Sequence, residues 1–167
     1  MKTLLIARHG KSSWISSEIE DIDRSLDISG VHGVQNVANS LKNKNILPDL
    51  ILSSPATRAI HTALIHSRVL EINEDKIKIN SSIYYKRENQ VLELISKQNS
   101  SVSTLMVCGH NPTSTHLVNF FLPIPIENLQ TSGVVQLNFN IENWEEITPS
   151  KPAQAFYFKR KETVELI

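Results

Sequence analysis

Three short clusters in this 167-residue chain carry residue types that bind and move a phosphoryl group: Arg8-His9-Gly10, Arg58 three residues beyond Ser53-Ser54-Pro55, and Gly109-His110-Asn111-Pro112. Arginine suits an anion site because its planar fork gives two parallel hydrogen bonds to phosphate oxygens, where lysine acts as a point charge. Those bonds strengthen as charge moves onto the equatorial oxygens of a phosphoryl transition state. An imidazole in such a ring of cations can serve as the nucleophile and carry the phosphoryl group briefly as a phosphohistidine. It must be neutral at Nε2, which the neighbouring cations favour, and a backbone carbonyl should hold its Nδ1 proton. His9 fits that role, with Gly10 allowing the chain to turn tightly enough to supply the carbonyl.

Elements of matching polarity precede each cluster. Leu4 to Ala7 is a continuous apolar run, as expected of a strand buried on both faces. Residues 11 to 28 are polar and without sustained period, and they read as a long loop in which Trp14 is either a lid or a plug. Helical spacing follows from Val31 to Leu41, with Ser29 as N-cap. A strand is predicted over Leu50 to Leu52 and a helix over about Ala56 to Leu70, with Pro55 as its first residue. Ile77 to Ile79 reads as a strand, Asn89 to Lys97 as a helix, Thr104 to Cys108 as a strand and Thr113 to Phe121 as a helix.

Further on, Val135, Leu137 and Phe139 alternate with polar residues, which predicts a strand solvated on one face, and Ala155 to Phe158 reads as a last edge strand. Strands alternating with helices imply an α/β fold: a three-layer α/β/α sandwich with a mainly parallel central sheet. In such a sheet the three clusters share the edge at which open α/β sheets hold ligands. The length fits one domain over residues 1–167.

Seventeen basic residues balance seventeen acidic ones. That balance advertises neither nucleic acid nor an anionic membrane as a partner. No stretch approaches the ~20 apolar residues of a membrane span, and the N-terminus lacks the apolar core of a signal peptide, so a cytoplasmic location is expected. The lone Cys108 ends a buried strand and reads as inert core. No spacing suggests a metal site or a Walker-type loop, so metal-free, cofactor-free catalysis is expected.

Together these motifs resemble the histidine phosphatase superfamily, also called the phosphoglycerate mutase-like fold. The segments Arg8 to Trp14 and Asp21 to Gly30 are similar to the SixA-like phosphohistidine phosphatase branch, and the likeness runs to about Gly133 without a large cap insertion. The resemblance implies that His9 is phosphorylated and that Arg8, Arg58 and His110 bind phosphoryl oxygens. It also suggests that Thr131-Ser132-Gly133 closes the pocket with a backbone amide.

For the general acid, larger relatives use a glutamate inserted after the third strand. Here the corresponding stretch, Ser81 to Glu88, is short. Glu88 is one candidate; Asp21 and Asp23 in the loop after the nucleophile are preferred. A phosphoramidate leaving group needs only modest acid assistance, and a pocket without a cap can admit a side chain presented by another protein. A phosphorylated protein or peptide bearing phosphohistidine is therefore the favoured substrate. A small-molecule phosphomonoesterase or mutase, or an inactive phosphate-recognition module, is the alternative. Lys11 is either a phosphate contact or a solvated lysine, and Arg24 is expected to brace the loop by an ion pair. His32, His61, His66 and His116 are expected to be solvated or packed helix residues.

Overall fold

The computed structural model describes residues 1–13 and 19–167. Trp14 lies outside the described residues. Strand β1 (Lys2–Arg8) is followed by a 3-10 turn (Asp21–Asp23), helix α1 (Ile28–Asn43), β2 (Leu50–Ser53) and α2 (Thr57–Val69). Next come β3 (Ile77–Ile79), a short helix α3 (Ser82–Tyr85), α4 (Glu88–Ser96), β4 (Thr104–Gly109) and α5 (Thr113–Phe121). Strands β5 (Val134–Phe139), β6 (Gln154–Phe158) and β7 (Thr163–Glu165) complete the order.

Among the described residues seven strands form one sheet in the order β3-β2-β4-β1-β5-β6-β7. The first four are mutually parallel, and β5, β6 and β7 extend the sheet antiparallel. The unbroken apolar run of β1 now has its reason, because alternate side chains enter two cores. Leu4 and Ile6 pack with Val91, Ile95, Leu117 and Phe121 of α4 and α5. Leu5 and Ala7 pack with Val37, Leu41 and Ala63 of α1 and α2 on the opposite face. The chain is a three-layer α/β/α sandwich.

Several boundaries differ from the sequence reading. Helix α1 is capped by Asp27, whose Oδ1 accepts from the Gly30 N–H at 2.6 Å, and not by Ser29. A carboxylate here also meets the positive end of the helix dipole. Pro55 precedes α2, whose N-cap is Ala56. The 11–28 stretch contains the 3-10 turn and a Ser12–Leu26 bridge. Strand β5 lies inside the sheet between β1 and β6 and is buried along nearly its whole length, and Gln136 donates to Asn138 Oδ1 within the sheet. The edge is β7, a three-residue strand too short to carry a pattern, so β6 is interior.

Candidate active site

Register brings the clusters together. Arg8 pairs with Gly109 across β1 and β4, and Ser53 pairs with Cys108 across β2 and β4. Three neighbouring parallel strands thus end at one edge and release Arg8-His9-Gly10, Ser53-Ser54-Pro55 and Gly109-His110-Asn111. Strand β5 runs the other way, so the turn before it, Thr131-Ser132-Gly133, reaches the same edge.

His9 Nδ1 lies 2.7 Å from the Gly10 carbonyl, the acceptor expected for its proton. That places the free lone pair on Nε2, toward which Arg58 Nε points at 3.4 Å. Burial pushes the His9 imidazolium pKa down to about 4, outweighing the carbonyl, and the charges of Arg58, Arg8 and Arg24 push the same way. The ring is neutral near pH 7. His110 lies with its ring centroid 4.9 Å from that of His9, and burial, then His9 and Arg58, push its pKa down to about 3. Its Nε2 meets Ser54 Oγ at 2.7 Å, while its Nδ1 is buried with no hydrogen-bond partner among the described residues.

Gly10 is needed for space, not for a left-handed backbone, which it does not adopt. A Cβ there would stand 2.9 Å from Val34 Cγ2 and 3.0 Å from the Gly30 carbonyl oxygen. The Gly10 N–H donates to Thr62 Oγ1 at 3.0 Å, whose hydroxyl in turn donates to the Arg58 carbonyl. Arg8 turns one end of its fork onto the Leu129 carbonyl at 2.8 Å, while its Nε is buried and unpartnered among the described residues.

The amides of Ser132 and Gly133 are not open to an anion. Ser132 N–H donates to the His9 carbonyl at 3.1 Å and Gly133 N–H to the Gln130 carbonyl at 2.9 Å. Ser132 sits at φ 67°, in the left-handed region, and the Gly133 carbonyl accepts from the Arg8 N–H at 3.0 Å. The turn therefore clamps the backbone of Arg8 and His9 instead of closing a phosphate pocket. Nor does Lys11 join the cluster, because its exposed ammonium faces Asp27 at 3.9 Å.

Asp21 does reach the site, but as an anion. Its Oδ2 accepts from Arg58 Nη2 and from the Tyr84 hydroxyl, each at 2.8 Å, and its Oδ1 accepts from Arg24 Nη1 at 2.8 Å. Arg58 Nη1 also donates to the Asp21 carbonyl. Burial alone would raise this carboxyl, yet the bonds from Tyr84, Arg58 and Arg24 outweigh it and hold the group well below the usual carboxylate range. A general acid needs the reverse, a proton retained near neutral pH, so Asp21 is held in the wrong state for the donor role expected of it. Asp23 is exposed, and Glu88 faces His116 at 3.5 Å. Arg24 braces the loop as expected, with Ser12 Oγ as a further partner at 2.8 Å.

Tyr84 and Ser54 are site residues that the sequence alone does not mark. Tyr84, on α3, stands edge-on to His110 with centroids 5.3 Å apart. Its only sequence signal is an aromatic in the stretch that replaces the larger relatives' insertion. Among the described residues no group of three or more His, Cys, Asp or Glu is placed to hold a metal ion. None of their helices is long and apolar enough to cross a membrane.

Against known proteins, residues 4–78 match the family model of the histidine phosphatase superfamily, branch 1. An uncharacterised chloroplastic protein of Arabidopsis thaliana is 31% identical over 153 residues, 87% of this chain and 70% of that one. A crystal structure from Agrobacterium tumefaciens, provisionally assigned as the phosphohistidine phosphatase SixA, superposes with a TM-score of 0.72. It is 29% identical over 81% of this chain and 90% of that one. The protein histidine phosphatase SixA complexed with tungstate gives a TM-score of 0.79 at 20% identity, over 95% of this chain and 97% of that one, which is a likeness of fold.

Proposed function

The chain belongs to the histidine phosphatase superfamily, and on that premise we propose that it removes phosphoryl groups from phosphohistidine in a protein or peptide, through a phosphohistidine on its own His9. The observation that carries this reading is the neutral His9 ring, anchored through Nδ1 on the Gly10 carbonyl with Nε2 directed into the arginine-lined edge.

In the first step His9 Nε2 attacks phosphorus in line as the bond from phosphorus to the substrate's imidazole nitrogen breaks. The substrate ring, protonated on its other nitrogen, takes the electron pair and departs as neutral imidazole. Water then attacks the phosphoryl group on His9, the new P–N bond breaks back onto Nε2, and inorganic phosphate departs. Arg58, His110 and the unpartnered Nε of Arg8 donate to the phosphoryl oxygens in both steps. Arg58 meets the phosphoryl oxygens through Nε, the nitrogen turned toward His9, while Nη1 and Nη2 stay on Asp21.

The ionised Asp21 favours a phosphoramidate over an alkyl phosphate. An alkoxide leaving group needs a strong proton donor, whereas a departing imidazole is already a good leaving group. Rapid quench with a phosphohistidine peptide tests the reading: acid-labile phosphate should appear on His9 and decay with turnover, with or without chelator. Turnover confined to metabolite phosphomonoesters would reject the protein substrate, and the absence of any phosphoenzyme would reject the mechanism.

A further inference from the structure

We propose that Ser54 is a positioning residue that sets the tautomer of His110, placing the ring proton on Nδ1, where it can be donated to a phosphoryl oxygen. The inference rests on the phosphatase reading only for the identity of that anion.

Ser54 lies just past the end of β2 and is fully buried. Its backbone N–H donates to the Cys108 carbonyl at 3.1 Å, two residues before His110, so the two strand ends are held in a common frame. Its hydroxyl oxygen accepts from the Ala56 N–H at 3.2 Å and stands 2.7 Å from His110 Nε2. Because His110 is neutral, its ring has one donor and one acceptor, and a serine hydroxyl has one proton to give.

Two arrangements are open. With the proton on Nε2, His110 donates to Ser54, whose own O–H then has no acceptor among the described residues, and Nδ1 is a buried lone pair without a donor. Two buried groups go unsatisfied. With the proton on Nδ1, Ser54 donates to Nε2 while accepting from Ala56, every polar atom of the serine side chain is matched, and a single N–H remains. Buried polar groups are paired wherever geometry allows, so the second arrangement prevails. The one donor it leaves is on a ring whose centroid lies 4.9 Å from that of His9 and 5.3 Å from that of Tyr84, and a phosphoryl oxygen held beside His9 supplies the acceptor that this buried Nδ1 lacks.

The test is the imidazole nitrogen spectrum of the full chain labelled with 15N-histidine, recorded at pH 7 alone and with inorganic phosphate, with His110 assigned by its loss in His110→Gln. The one-bond N–H coupling of His110 is expected at Nδ1, and a coupling at Nε2 overturns the proposal without any variant of Ser54. Ser54→Ala should move the proton toward Nε2 and lower kcat on a phosphohistidine peptide about 10- to 100-fold, by analogy with the loss when a group that orients a metal-bound histidine is removed. Ser54→Thr, which keeps the hydroxyl, should restore both, and an unchanged tautomer in Ser54→Ala would also refute the role. Should Nδ1 carry the proton while no phosphorylated probe is turned over, the Ser54 assignment stands and the phosphatase reading fails.

Discussion

At the scale of single residues, chemistry follows from which protonation state each environment permits. His9 is anchored and neutral, so His9→Ala should abolish turnover while leaving the thermal midpoint within a few degrees, since a residue at a strand end supports little core. Activity in the purified variant would refute the nucleophile. Its depressed pKa also sets a pH dependence: acid protonates Nε2 only near pH 4. The acid limb of log(kcat/KM), corrected for titration of the substrate, should therefore break near 4 and not near 6.5, the ordinary value for histidine. Arg58→Ala should cost at least ~2.7 kcal/mol of transition-state stabilisation, read as a fall of about 100-fold in kcat. Asp21→Asn makes the opposite kind of test. If Asp21 supplied no proton, turnover of phosphohistidine would change by less than about tenfold, whereas loss of a working general acid costs roughly 10²- to 10⁴-fold.

Elements place these residues, and here local propensity and tertiary contact disagree in instructive ways. Gly30 lies in the first turn of α1, where helix propensity alone favours alanine by roughly 1 kcal/mol. The structure predicts the reverse, because a Cβ at Gly30 would fall 2.1 Å from the Lys11 carbonyl oxygen and 2.8 Å from its nitrogen. Gly30→Ala should lower the urea midpoint, and a raised midpoint would show that the 11–28 segment yields freely. Helix α5 and strand β3 were legible to their end residues because hydrophobic period and breakers agree there. Strand β5 was read as half solvated because Gln136 and Asn138 alternate with Val135, Leu137 and Phe139. Gln136 donates to Asn138 Oδ1 and Asn138 in turn donates to Gln154 Oε1 across the sheet, pairings that no one-dimensional pattern reveals.

For the whole molecule, the sheet is the device that turns three distant motifs into one site. It also buries three imidazoles as neutral rings: His9 and His66 with pKa pushed down to about 4, His110 to about 3, each chiefly by burial. His66 is the clearest case, fully buried on α2 with neither ring nitrogen partnered among the described residues. Between pH 6.5 and about 4 the unfolded chain takes up protons at these positions and the folded chain does not, so stability falls as pH falls through that window. Each histidine contributes a slope of about 1 kcal/mol per pH unit. Urea midpoints should drop steeply from pH 6.5 to 4.5, and His66→Leu should flatten that fall; a flat wild-type profile would contradict the burial of these rings.

Residue order and chemistry were enough to determine the motifs, their place at strand ends and the alternation that makes an α/β sandwich, because hydrophobic period and turn residues act over a few neighbouring positions. Only the folded sheet decided which groups face one another. It committed the Ser132 amide to the His9 backbone, locked Asp21 as an anion against Arg58, Arg24 and Tyr84, and set Ser54 against His110. Those outcomes depend on register between strands far apart in the chain and on competition for each buried hydrogen bond, and a string of residues carries neither.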